Sequence, residues 1–274
     1  MNIKIINTTR NAEKYLHAVE QEKADLQVAW NTYMIETFWS EIAQWAPFDM
    51  SYLKPEPIYE LSVLMEQIEQ LSQLSTAELQ QKFSASVNAL PVEDDDELLI
   101  AIYPLCDRNK TAKERQNGVV GANVFGNMIL NVNPLADDWQ AWIPYVFAHE
   151  YHHKAWGHHW YVMQCGQGLD GTFLEYLINE GQADLFAMSL YPNLQPQWNE
   201  PFSKAIESTL WTKMKLALDS TDREIHEKYM FGSEELDLPW CVGYSFGRMI
   251  VADYLEQNPE INFTELIKDR KSVV

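Results

Sequence analysis

Cysteine is scarce in this chain. It occurs at 3 of 274 positions, Cys106, Cys165 and Cys241, spaced far apart. They form no C-x-x-C and cannot all pair, which predicts free thiols in a reducing cytoplasm and argues against a disulfide scaffold or a cysteine-held zinc. Positive charge is scarce as well: 20 Lys and Arg face 40 Asp and Glu, for a net charge of -20. With no Lys/Arg cluster of useful size, no nucleic-acid partner is expected. Long apolar runs are missing too. No stretch reaches the ~18 apolar residues of a membrane span, so no membrane partner is expected. The N-terminal "MNIKIINTTRNAEKYL" turns polar after a short apolar patch, unlike a signal peptide. What is present is 46% hydrophobic and 12% aromatic residues, enough to build a real core and to exclude general disorder.

The pattern along the chain is helix-rich at both ends and mixed in the middle. "IKII", Ile3 to Ile6, is a candidate first strand, and a helical pattern runs from about Ala12 to Trp45 until "KPEP" breaks it. Further helices fit "IYELSVLMEQIEQLSQL" and "STAELQQKFSAS", where Ser75 and Glu78 have capping-box spacing. "VEDDDE", Val92 to Glu97, reads as a solvated acidic loop before a strand. The continuous apolar run "LLIAIYPL", Leu98 to Leu105, predicts a buried strand. "GVVGANVFGNMILNVNP", Gly118 to Pro134, predicts one or two strands bending at glycines. Asp137 or Asp138 is placed to cap a helix through His153. After the glycine-rich "CGQGLDGT" a strong helix spans about Thr172 to Leu190, ended by Pro192 and Pro196, and Pro201 to Lys268 is mainly helical. The expected fold is α+β and mostly helical, with a small mixed sheet beside the histidine helix and a helical C-terminal lobe. The parts are an N-terminal helix-rich region over 1–94, a core over 95–190 and a C-terminal lobe over 191–274, integrated into one domain.

Five of the seven histidines fall in "YVFAHEYHHKAWGHHW", Tyr145 to Trp160. His149 and His153 are four apart, one helical turn, so both imidazoles can face one metal ion. Glu150 projects about 100° away from His149, which puts it beside the metal, where a base can take a proton from a metal-bound water. His149 and His152 could also pair at i,i+3, but the placement of Glu150 favours His149 and His153; His158 and His159 read as loop histidines after a helix end at Gly157 rather than as ligands of a second metal. Glu180, on the next predicted helix, is the expected third ligand, with Glu175 its rival. Two His and one Glu, with a water at the fourth position, are the donors of a catalytic zinc rather than a structural one. Asp184, four residues after Glu180, is placed to accept a hydrogen bond from a ligand histidine.

"FAHEYHH", "TFLEYLINEGQADLFA" and "GYSFGRMIVADYL" together resemble a bacterial family of predicted zinc-dependent proteases, the YjaZ-like proteins. The likeness is specific over about Leu98 to Leu190 and the "GYSFG" segment. More distantly, "HEYHH" followed by "NEGQAD" resembles the thermolysin-type gluzincins: Asn179, Glu180 and Asp184 match their N-E-x-x-S-D, and Ala183 replaces the serine. The resemblance implies a zincin-like fold, a Zn²⁺ cofactor and a peptide or protein substrate.

The reading that follows is a zinc metallopeptidase: zinc on His149, His153 and Glu180, and Glu150 as general base for a zinc-activated water. The oxyanion donor is Tyr244 first, His226 second, with Tyr229 and Tyr161 open. Gly243 and Gly247 around Tyr244 equally suit close helix packing. "GANVFGN" is a candidate sheet edge for an extended peptide, or a bent structural strand. Two alternatives keep the zinc: an amidohydrolase acting on a non-peptide amide, and a non-catalytic regulatory module, against which Glu150 argues because binding alone needs no base.

Overall fold

The computed structural model describes residues 1–93, 97–199 and 202–268, and their contacts divide into two compact units, Met1–Lys154 and Ala155–Val274. In the first unit, β1 (Asn2–Asn7) leads into α1 (Thr9–Glu20). The helical pattern expected from about Ala12 to Trp45 is divided among several helices. Lys23 takes a left-handed φ of 58°, and the Asp25 carboxylate then caps a new helix, α2 (Leu26–Trp30), by accepting from Val28 N at 3.0 Å. A capping aspartate offers the backbone an alternative to continuing the previous helix, and periodicity alone does not register it. A π-helical segment, Asn31–Ile35, and the short α3 (Trp39–Ile42) follow. Next come α4 (Leu61–Leu71) and α5 (Thr76–Ala89), the latter capped by the Ser75 hydroxyl accepting from Glu78 N at 3.3 Å.

The sheet is completed by β2 (Glu97–Pro104), β3 (Val119–Val124) and β4 (Asn127–Val132), with α6 (Lys110–Arg115) between β2 and β3. Its order is β1-β2-β4-β3. β1 and β4 run parallel to β2, and β3 runs antiparallel to β4. The sheet is therefore small and mixed, as expected for the α+β class. β2 lies between two neighbours and is buried after Glu97, which explains its unbroken apolar sequence. Of the acidic run, Asp94, Asp95 and Asp96 lie outside the described residues, and Glu97 opens β2.

Strand alternation sorts the sheet residues onto two faces. Leu99, Ala101, Tyr103 and Ile129 join the core built with Ala12 and Tyr15 of α1, Trp30 of α2, Ile42 of α3 and Leu64 of α4. On the other face, Gln80 of α5 donates to the Ile3 carbonyl at 2.7 Å. α7 (Trp139–Gly157) lies there too, its Phe147 stacked on Phe83 of α5 at 4.0 Å and its Tyr151 hydroxyl donating to the Leu90 carbonyl at 3.0 Å. β3 and β4 meet through Phe125 and Gly126, both at positive φ (48° and 103°), as a two-residue primed hairpin turn requires.

The second unit is helical. The chain leaves α7 as a π-helix, His158–Met163, so His158 and His159 are not loop residues as expected. Gly157 ends the α-helical hydrogen bonding without ending the coil, and glycine spacing alone cannot separate the two outcomes. Then come α8 (Phe173–Leu190), α9 (Lys204–Met214), α10 (Arg223–Phe231), α11 (Val242–Gln257) and α12 (Phe263–Leu266). Phe173 and Leu177 of α8 share a core with Leu210, Met214, Met230, Val242 and Phe246. A second cluster joins Ile178, Val251 and Leu266. No helix among the described residues is long and apolar enough to cross a membrane.

Candidate metal centre

In the first unit, α7 carries His149 and His153 at partial exposure, while His152 between them is fully buried. The two Nε2 atoms lie 3.1 Å apart, with the rings at 82°. Two nitrogens at ~2.1 Å from one ion and a tetrahedral angle apart would be separated by about 3.4 Å. The imidazole pair therefore fits a zinc ion in both donor type and spacing.

Glu150 is 8% exposed. It is packed under β3, and the contact depends on a missing side chain. A Cβ on Gly121 would fall 2.5 Å from Glu150 Cγ, 2.7 Å from its Oε1 and 2.7 Å from Val146 Cγ1. Asn123, two residues along the same strand, donates through Nδ2 to the Glu150 carbonyl at 3.3 Å, and its Oδ1 accepts from Gly126 N at 3.1 Å. Sequence reasoning named the strand but missed these two residues as supports of α7. The available signal was a glycine inside a strand, which marks close approach by a neighbour.

In the second unit, Thr172 caps α8, its hydroxyl accepting from Glu175 N at 3.4 Å. The Glu175 carboxylate reaches back to the preceding loop and accepts from Gly171 N at 2.7 Å and Asp170 N at 3.0 Å. The rival ligand is thus a loop clamp. Glu180, one turn further on, is 6% exposed. Next to it α11 comes to backbone contact: a Cβ on Gly181 would sit 2.2 Å from the Gly247 carbonyl, and one on Gly247 2.2 Å from the Leu177 oxygen. Gly243 faces Met230 of α10 in the same manner, at 2.5 Å from its Sδ. The glycines of "GYSFG" are packing residues, and their packing holds Tyr244 on the helix against α8. Burial, then the Glu180 carboxylate, with Tyr176, Cys241 and Asp184 adding, push the Tyr244 phenol well above its ordinary range. It stays a protonated O–H donor at neutral pH.

The other oxyanion candidates are placed differently. His226 Nε2 donates to the Ser220 carbonyl at 2.7 Å, and its ring packs on Phe173 and Tyr176. Tyr229 lies edge-on to Phe173 at 5.9 Å. Tyr161 is 54% exposed on the π-helix, against Trp156. His159 is held below the usual imidazole value, by burial first and then by Lys268 and His158, and so is neutral at pH 7. Asp184 is fully buried, and its Oδ2 accepts from Trp198 Nε1 at 2.7 Å. Trp198 was not singled out from the sequence. It lies outside any motif, in a short 3₁₀ turn, Gln197–Asn199, with no local pattern to flag it. All three cysteines are free thiols, Cys106 and Cys241 buried and Cys165 exposed.

An α+β chain that presents two converging imidazoles on one helix, with a buried carboxylate between them in sequence, is of a class equipped to hold a metal ion. The chain belongs to the family described as "Predicted Zn-dependent protease (DUF2268)", whose sequence model matches residues 68–272. No curated protein and no solved structure matches it.

Proposed function

We propose that the protein is a zinc-dependent metallopeptidase in which His149, His153 and Glu180 hold the metal. The observation that carries the reading is the imidazole pair on α7, with Nε2 atoms 3.1 Å apart, and the buried Glu150 beside it. Zinc bound by these donors would supply Lewis acidity, lowering the pKa of a water toward neutrality and polarising a carbonyl.

The chain's own residues supply the rest. Glu150 takes a proton from the attacking water and returns it to the leaving amine. Its confinement beneath Gly121 keeps the carboxylate in one place, so little reorganisation is needed at reaction. The Tyr244 phenol, kept protonated, donates a hydrogen bond to the oxygen on which negative charge develops. Asp184 accepts from the non-ligating nitrogen of a ligand histidine and sets its tautomer.

A peptide is favoured over another amide by β3. It is the last strand in the sheet order, so its outer edge is unpaired among the described residues, and it crosses directly over Glu150. An extended peptide can add there as a further strand through backbone hydrogen bonds. A zincin-like, gluzincin-type fold and a cytoplasmic setting belong to the same proposal, the latter supported by the free thiols. The net charge of -20 favours basic over acidic substrates.

Glu150→Gln tests the reading, because the amide keeps the shape and loses the base. Peptide hydrolysis by the purified variant is expected to fall by about 10²–10⁴-fold with zinc content unchanged. A variant that hydrolyses peptides at the wild-type rate overturns it.

A further inference from the structure

Just after α3, two aromatic side chains three positions apart stand open to solvent: Trp45 at 37% exposure and Phe48 at 56%. Single apolar side chains on a surface are ordinary, but a contiguous group marks a contact site. Both rest on the turn of the β3–β4 hairpin. The Phe48 ring meets Phe125 edge-on, with centroids 5.1 Å apart. A Cβ on Gly126 would lie 3.7 Å from the Trp45 ring and 3.3 Å from Lys154 Nζ, and that nitrogen is 6.0 Å from the Trp45 centroid. The segment also starts from a fixed point. Asn127, fully buried at the start of β4, donates through Nδ2 to the Glu41 and Ile42 carbonyls at 3.2 and 3.0 Å, and its Oδ1 accepts from Leu99 N at 3.1 Å. Lys4 of β1 pairs with the Glu41 carboxylate. α3 is thus tied to three strands.

All of these residues belong to the first unit, as do His149, Glu150 and His153. β3 joins the two places. It passes over Glu150 at Gly121, and Phe125 follows four positions on, in the turn. At ~3.3 Å per residue the separation is roughly 13 Å of extended chain. We propose that Trp45 and Phe48, seated on Phe125, form a substrate subsite for a large uncharged side chain, aromatic above all, about three or four residues to one side of the bond cleaved. The inference rests on the peptidase reading, in which an extended peptide adds to β3, and it names what that peptide carries. Charge narrows the choice. The Lys154 ammonium repels a Lys or Arg side chain and attracts an aromatic face. The net charge of -20 disfavours an acidic side chain. Trp45 and Phe48 precede residue 68, where the family match begins, so the subsite draws on residues outside the matched segment.

Quenched fluorogenic peptides test the assignment on the full, zinc-loaded chain. They differ at one residue, Phe, Ala or Lys, scanned over about four positions on each side of the cleaved bond. At one position three or four residues out, kcat/KM with Phe is expected to exceed that with Ala by about tenfold, with Lys below Ala. Phe48→Ala is expected to bring the Phe-to-Ala ratio close to one. Phe48→Leu, which keeps apolar area at the same place, is expected to retain most of the ratio. Met65→Ala, which removes an exposed apolar side chain on α4, is expected to leave it as in wild type.

Binding gives a second readout that chemistry does not enter. Glu150→Gln leaves the peptide uncut, and by fluorescence anisotropy it is expected to hold the Phe peptide about tenfold more tightly than the Ala peptide. Adding Phe48→Ala is expected to remove that difference. Trp45→Ala, from the other half of the pair, is expected to lower both ratios as well. The proposal is overturned if the preference persists undiminished in both Phe48→Ala and Trp45→Ala, which would leave the aromatic pair to another occupant such as a protein partner. A wild type that cleaves peptides with no preference for a large uncharged residue three or four positions out defeats this proposal alone. A wild type that cleaves no peptide defeats the peptidase reading and this proposal together.

Discussion

Gly121 is the residue on which Glu150 most visibly depends. The space a methyl group would need is filled by Glu150 Cγ at 2.5 Å and Val146 Cγ1 at 2.7 Å. Gly121→Ala must therefore push α7 from β3 or force Glu150 out of its place. Overpacking of this kind costs about 1–3 kcal/mol. We expect a lower urea midpoint and a loss of hydrolysis larger than any loss of zinc, since the imidazoles are on another face of α7. Equal activity in the alanine variant would show that Glu150 need not be held there. At this scale the sequence was most legible where helix geometry applies. The placement of Glu150 on the helix favoured His149 with His153 over His149 with His152, and in the structure the first two have their Nε2 atoms 3.1 Å apart while His152 is buried. It was least legible where a contact spans elements: Gly121 and Glu150 are 29 positions apart, and nothing local links them. The choice between Glu175 and Glu180 was open on spacing. The structure gives Glu175 a task of its own, accepting the loop N–H groups that precede α8.

Among the elements, α8 and α11 pack closely because both have glycine at the crossing. Gly181 and Gly247 leave only backbone against backbone, with a built Cβ at 2.2 Å in either direction. Backbone cannot swing aside as a side-chain tip can. Gly247→Ala is therefore expected to destabilise by about 3 kcal/mol, the upper part of the usual overpacking range, read as a drop in the denaturant midpoint. A midpoint within error of wild type would mean the helices can part at no cost. The glycine spacing in "GYSFG" did announce a close approach, β1 and β2 fell on the apolar runs, and the stretch expected to hold one or two strands bending at glycines holds two, β3 and β4, turning at Gly126. The breaks were harder. The helical period runs through Lys23 and Asp25 without a fault, yet the capping carboxylate of Asp25 starts a new helix there. After Gly157 the apolar and aromatic pattern holds while the backbone changes to a π-helix, a change of hydrogen-bond register that leaves no clear mark in composition.

For the whole molecule, the family match over 68–272 begins within α4, so β1 and α1 to α3 precede it. Those elements still supply part of the first unit's core, with Tyr15 and Trp30 fully buried. The aromatic richness noted from composition is used there, in packing. The division after Lys154 places His149, Glu150 and His153 in one unit and Glu180, Asp184 and Tyr244 in the other. Of the residues proposed to hold zinc, Glu180 is the one whose role rests on the proposal most heavily. Its burial at 6% exposure suits a carboxylate that serves a cation. The direct test is metal analysis of the purified wild type and of Glu180→Ala, run side by side. One zinc per wild-type chain, with most of it lost in the variant, is the predicted result. Zinc retained in full by Glu180→Ala would contradict it.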